Sequence, residues 1–179
     1  REGLVELTNQ EHMLRLEWLN EQPLPAFLQG LSAPVRLEFS YTPAQLARLV
    51  QLESDPLTRW DAIQQLVRMA ILPGDKQTKA RRALLQAQAD LLADDNADPA
   101  FVAECLTLPD IWDISSNQAR IDIDALWEMR ERVLSLFAHE QKDALVARYE
   151  ALAEASQQGL DGASAGARSL RHVCLKYLA

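Results

Sequence analysis

Val35-Arg36-Leu37-Glu38-Phe39-Ser40-Tyr41-Thr42-Pro43-Ala44-Gln45-Leu46-Ala47-Arg48-Leu49-Val50 is the stretch in which the hydrophobic period changes. Up to Tyr41, the apolar residues Val35, Leu37, Phe39 and Tyr41 alternate with Arg36, Glu38 and Ser40, the period of a half-buried strand. From Pro43 onward Leu46, Leu49 and Val50 recur at three- and four-residue spacing, which is one face of a helix. Thr42 offers a capping hydroxyl, and Pro43 brings a preset φ to the first helical position. The chain reads as β before this point and α after it.

Upstream, Leu14, Leu16 and Trp18 alternate with Arg15 and Glu17, and residues 4–7 could pair with them through a turn near Asn9 and Gln10. Pro23, Pro25, Gly30 and Pro34 break the segment before Val35, since a proline has no N–H to give a ladder. Three six-residue strands offer roughly 280 Å² per face, and that face must lie on the helices or on something outside this chain. Downstream, Asp55-Pro56 repeats the helix-start signal ahead of a stripe of Trp60, Ile63, Val67 and Ala70. A third helix is expected over about residues 77–92 through Leu84, Leu85, Leu91 and Leu92. Asp98-Pro99 opens a fourth with Phe101, Val102, Cys105 and Leu106, and Pro109 closes it. Asp122 or Asp124 starts a fifth through Leu126, Met129, Val133, Leu136 and Phe137. A sixth runs from about Glu140 to about Gln157, and Ser164 is the expected cap of a last helix carrying Leu170, Cys174, Tyr177 and Leu178. The fold class is therefore mainly α with a small N-terminal antiparallel β segment. Short connections make successive helices antiparallel, in a superhelical (HEAT/armadillo-like) arrangement, although no repeat recurs at a fixed period.

With 179 residues, 48% of them apolar and 25% charged, the chain can bury a real core. Eighteen Lys and Arg against 26 Asp and Glu leave a net charge of −8, which argues against a nucleic-acid partner. No apolar run approaches the ~18 residues of a membrane span. Two cysteines cannot build a disulfide framework and suit a reducing cytoplasm, so the expected localisation is cytoplasmic. The chain opens on Arg1 rather than Met, and is expected to be cut from something longer. None of its six glycines lies between Gly74 and Gly159, and Gly-rich phosphate loops are absent.

The residues that carry chemistry elsewhere are incomplete here. His139-Glu140-Gln141-Lys142-Asp143 begins like a zinc-protease helix, but Asp143 stands where the second imidazole belongs. His172 and Cys174 lie two apart on a helix and point about 200° away from each other. Cys105 falls on an apolar stripe, where a free thiol behaves as a small hydrophobe, and His12 has no ligand partner nearby. The carboxylate pairs Asp94-Asp95, Asp122-Asp124 and Glu128-Glu131 have no pocket to give them a role. Lys76, Lys79, Arg81 and Arg82 form the one basic cluster, read as a solvated face. The four tryptophans read as core. On these residues alone the site assignment is catalytic none, cofactor-binding none and metal none.

Several segments nevertheless resemble one family. Pro25-Ala26-Phe27-Leu28-Gln29-Gly30-Leu31-Ser32-Ala33-Pro34-Val35-Arg36-Leu37-Glu38-Phe39 looks like the last strands of the small β-sandwich domain of the bacterial aminopeptidase N enzymes. These are zinc metallopeptidases of the gluzincin type. Arg59-Trp60-Asp61-Ala62 resembles the start of their C-terminal helical domain. Asp98-Pro99-Ala100, Ala103-Glu104 and Leu106-Thr107-Leu108-Pro109 look like a further landmark. Ser169-Leu170-Arg171 and Cys174-Leu175-Lys176-Tyr177-Leu178-Ala179 resemble a later helix. The resemblance runs in order across nearly the whole chain, on packing segments rather than chemistry.

It implies that residues 1–42 are the C-terminal strands of a β-sandwich domain and that 43–179 are the first half of the helical domain. The parent would remove N-terminal amino acids from peptides, with a zinc ion that polarises the carbonyl and lowers the pKa of its water. The zinc motif, its downstream Glu and the G-x-M-E-N motif lie N-terminal to the matching region in that family, so no site residue is carried over. This part would shape and enclose the chamber, with the parent's catalytic domain as its partner and peptide substrates reached through the parent. No nucleic acid and no membrane is expected. A free-standing α-helical protein-interaction scaffold, or a small hydrolase, would be the other readings.

Overall fold

The computed structural model describes residues 3, 6, 8–11, 13, 15, 17, 23–35, 37–116, 118, 120–157 and 159–179. Among them lie eight α-helices: α1 (Pro43–Leu52), α2 (Pro56–Ile71), α3 (Gln77–Ala93), α4 (Pro99–Leu106), α5 (Ile111–Ser115), α6 (Ile123–Glu140), α7 (Lys142–Ala151) and α8 (Gly162–Leu178). Their starts are set by local chemistry. The Thr42 N–H donates to Gln45 Oε1 at 2.8 Å, and the Gln45 N–H donates back to Thr42 Oγ1 at 3.2 Å, a complete capping box ahead of Pro43. Asp55, Asp98, Asp110, Asp122 and Asp161 each accept a backbone N–H two or three residues on, at 2.9 to 3.1 Å. Only α3 and α7 begin without a side-chain cap.

The helices enclose two hydrophobic clusters. The first joins α1, α2 and α3 through Leu46, Val50, Ile63, Leu66, Val67, Ile71 and Leu84, and takes in Leu126 and Val133 from α6. The second joins α4, α8 and the end of α6 through Val102, Leu106, Phe137, Leu170, Cys174 and Tyr177, with Leu145 from α7. Leu134 touches both clusters. α2 packs against α1 and α3, which also touch each other, while α8 packs on α4 and α7. Gly166 makes the α4–α8 approach possible, because a Cβ there would stand 3.0 Å from the Ala100 nitrogen. None of the helices is long and apolar enough to cross a membrane, among the described residues.

Four expectations need correction. Among the described residues the N-terminal β segment is not seen. Of the two upstream strands, most residues lie outside those described, including Leu14, Leu16 and Trp18. Residues 35 and 37–41 are described and join no ladder. A strand exists only with a partner's backbone beside it, and the described residues supply none. Two of the alternating side chains pack locally instead: Phe39 meets Phe27 edge-on at 5.3 Å and Tyr41 at a tilt at 4.5 Å, and the Tyr41 hydroxyl donates to the Pro25 carbonyl at 2.9 Å.

Secondly, α5 is an element the hydrophobic period does not show, because five residues are too few to carry it. Its cap, Asp110, was the available signal. Thirdly, α7 stops at Ala151 rather than near Gln157, and a turn leads to a short 3-10 segment at Ala155–Gln157. Donors from α8 take up the carbonyls there: Arg171 Nε donates to Tyr149 O at 3.1 Å and Arg168 Nη1 to Ser156 O at 3.1 Å. The last helix accordingly starts one turn earlier than expected, on Asp161, and Ser164 is the residue that donates to that cap. Finally, the described tryptophans are not core. Trp60 is 37% exposed and lines a hollow beside the segment before α1, while Trp127 is 57% and Trp112 76% exposed.

Candidate functional site

The residues singled out for chemistry stay apart in the fold. His139 and Glu140 end α6 on its exposed face, and Asp143 stands exposed in the first turn of α7. Among the described residues, no three His, Cys, Asp or Glu side chains could together hold a metal ion. The donors among the described residues therefore do not fit zinc. His172 is exposed on α8 while Cys174, two residues on, is buried. His12 lies outside the described residues. Both thiols are free and fully buried, in different clusters. Burial pushes the Cys105 thiol up to about 12 and the Cys174 thiol up to about 11, so neither supplies a thiolate nucleophile near neutral pH.

The carboxylates act as structural acceptors. Asp122 caps α6. Asp95 pairs with Arg148 of α7, whose Nη2 also donates to the Asp94 carbonyl at 3.2 Å. Glu131 accepts from Arg130 at 3.1 Å, and Arg130 Nε donates to the Pro109 carbonyl at 3.0 Å, tying α6 to the segment between α4 and α5. Glu128 stays exposed.

The basic cluster is divided by the helix that carries it. Arg81 turns inward, and its Nη2 donates to Met129 Sδ at 3.0 Å. Lys76, Lys79 and Arg82 face outward and border a groove of about 620 Å³ between α1 and α3. Ala44 and Ala47 of α1 and Ala83 and Ala87 of α3 form its floor, with Pro43 and Thr42 at one end. At the other end, Gln51 Nε2 donates to Asp90 Oδ2 at 3.0 Å, and Gln86 Nε2 donates to Asp90 Oδ1 at 2.8 Å. The starts of α1 and α3 thus border the same end and their ends meet at the other, so the two helices run side by side in one direction. The sequence carries a signal for this groove that its apolar stripes do not show. Alanines three or four apart on two helices leave a channel where Leu would have filled it.

A second hollow of about 390 Å³ lies between the segment before α1 and the face of α2, lined by Phe27, Leu37, Tyr41, Trp60, Asp61 and Arg68. Burial, and then the nearby Asp61 carboxylate, push the Tyr41 phenol up to about 12, so it is a donor and not a base at any ordinary pH.

Comparison with known proteins places the chain. Residues 43–179 match the family described as "Domain of unknown function (DUF3458_C) ARM repeats". The chain is homologous to a region of aminopeptidase N: it is 31% identical over 183 residues to that protein from Escherichia coli (strain K12), covering 99% of this chain and 21% of the relative. Aminopeptidase N of Caulobacter vibrioides is 30% identical over 182 residues, with 99% of this chain and 21% of the relative covered. The chain thus spans about a fifth of the length of the curated relatives it matches. Among solved structures, Legionella pneumophila aminopeptidase A in complex with aspartic acid aligns with a TM-score of 0.70 at 26% identity, over 88% of this chain and 20% of that one.

Proposed function

The chain belongs to the DUF3458_C family of ARM-repeat domains, and from that premise we propose that it is the non-catalytic helical part of a zinc aminopeptidase, a cytoplasmic hydrolase that removes N-terminal amino acids from peptides. Residues 43–179 form the first half of the parent's C-terminal helical domain. Residues 1–42 close a β-sandwich domain whose partner strands come from the rest of the parent. The observation that carries the reading is similarity from end to end, 31% over 99% of this chain, to only 21% of an aminopeptidase N. The family match beginning at residue 43 and the helix start at Thr42 support the boundary.

In this role the segment shapes and encloses the chamber over the catalytic domain, and contributes no catalytic, cofactor-binding or metal residue. Trp112 and Trp127 support it, because large apolar side chains left outward on a soluble domain mark a contact surface. The parent is expected to hold about one zinc per chain and to hydrolyse aminoacyl amides. Deleting residues 43–179 should lower kcat/KM by about a hundredfold or more while the zinc stays bound, since the loss is of enclosure and positioning. Zinc bound stoichiometrically by residues 1–179 alone, or a full-length parent without peptidase activity, contradicts the proposal.

A further inference from the structure

Nothing in the proposed role uses the groove between α1 and α3. Its walls are built for a ligand of particular chemistry. The floor of Ala44, Ala47, Ala83 and Ala87 admits close approach by a chain with small side groups. Lys76, Lys79 and Arg82 crowd one end, and none of them is in an ion pair among the described residues. The starts of two helices running side by side add the positive ends of their dipoles there. Lys76, just before α3, supplies no side-chain cap, and the Gln77 N–H donates instead to the Gly74 carbonyl at 3.1 Å. On a chain of net charge −8, three cations grouped at one end of a groove are the opposite of the average surface.

We propose that this groove docks an acidic peptide segment of a separate chain. Carboxylates would meet Lys76, Lys79 and Arg82, and small apolar side chains would lie on the alanine floor. α1 has ten residues and is about 15 Å long, so the groove takes about four or five extended residues. Charge complementarity decides the chemistry, and the character of the walls decides the source. A permanent seam with the rest of a parent chain is anchored by large side chains. This groove has small side chains below and unpaired cations above, the makeup of a reversible, salt-dependent contact. Three cations over one short groove are also too few for the extended basic face that a nucleic acid requires.

The test uses the full-length protein that carries this chain and a fluorescein-labelled ten-residue peptide of alternating Glu and Ala. Anisotropy should show saturable binding that weakens steeply between low and high salt, and by about tenfold or more when Gln replaces Glu in the peptide. Lys79→Glu with Arg82→Glu should weaken binding by about tenfold or more, with an unchanged thermal midpoint, because both side chains are exposed. An Ala44→Cys variant should react freely with a maleimide, and bound peptide should slow that reaction. Equal affinity in wild type and double variant overturns the proposal. So does an absence of binding, or an Ala44→Cys thiol already shielded in the free protein, which would mean the parent's own chain fills the groove. Self-association lost on Lys79→Glu would assign the groove to a second copy and also overturn it.

Discussion

The two hydrophobic clusters are built by different means. Around α1, α2 and α3 the buried residues are almost all aliphatic, and the elements follow one another directly in the chain. Polar ties there are few: the buried Gln88 donates Nε2 to the Cys105 carbonyl at 3.3 Å, and the half-buried Arg59 donates Nε to the Val50 carbonyl at 2.8 Å. Around α4, α7 and α8 the cluster is closed by contacts between distant parts of the chain. Phe137 meets Tyr177 edge-on at 5.0 Å, and the Tyr177 hydroxyl donates to the Leu106 carbonyl at 2.6 Å, 71 residues away. Arg171 spans from α8 to the Tyr149 carbonyl and the Ser156 hydroxyl, with its guanidinium 4.2 Å from the Tyr149 ring centroid. The first cluster is assembled mainly by neighbours with matching stripes, with Leu126 and Val133 of α6 added to them. The second needs its ends brought together and then holds them with directional bonds, so its stability is concentrated in fewer residues.

Truncating the centre of each cluster tests that difference most strongly. Phe137→Ala should destabilise the chain by about 3–5 kcal/mol, because a ring at 1% exposure is lost together with its edge-on contact to Tyr177. Leu66→Ala should cost about 2–5 kcal/mol, with neighbouring aliphatic side chains able to relax into the space. Urea denaturation followed by circular dichroism gives both values. A Leu66→Ala cost above that of Phe137→Ala would break the comparison.

A smaller effect isolates the directional bond. Tyr177→Phe keeps the ring and removes the donor to Leu106, and should cost about 1–3 kcal/mol, since a buried carbonyl loses its partner. A cost near zero in the same denaturation series would show that shape, not the hydroxyl, closes the second cluster.

The smallest effect belongs to the first cluster's local chemistry. Asp55→Ala removes the α2 cap and should cost about 1 kcal/mol. The Thr58 hydroxyl, donating at 2.7 Å, is the main reason the Asp55 carboxyl lies below its usual value, with the Thr58 backbone N–H adding to it. A carboxyl lowered in the folded state contributes stability that is present above its unfolded pKa and lost as pH falls through the folded one. The gap between wild type and Asp55→Ala should therefore be full at pH 6 and shrink below about pH 4. A gap independent of pH would mean that the charge plays no part in the cap.

Much of the helical part was legible in the sequence, and what failed shares one character. Thr42-Pro43, Asp55-Pro56 and Asp98-Pro99 each marked a helix start that the structure bears out. The stripes of Leu46, Leu49 and Val50, and of Ile63, Val67 and Ala70, are buried. Trp60 heads the second stripe and still stands at 37% exposure, because the end of a stripe is covered only if another element reaches it. The end of α7 depended on arginines of α8 that lie about twenty residues on. The four cations at residues 76–82 looked like one solvated face, yet Arg81 and its neighbours were separated by which helix stood beside them.

By itself the sequence determined where helices begin and which faces they bury, and it supplied the segments that tie the chain to its relatives. Caps act across three residues and amphipathic stripes across one turn, so their physics is complete within a short window of sequence. Only the tertiary structure decided that Phe27, Phe39 and Tyr41 gather in an aromatic corner, that Trp112 and Trp127 are exposed, and that two rows of alanine face each other as a groove. Each of those depends on which distant backbone or side chain arrives alongside. A ladder needs a second strand and burial needs a second surface, and neither is written in the residues that await it.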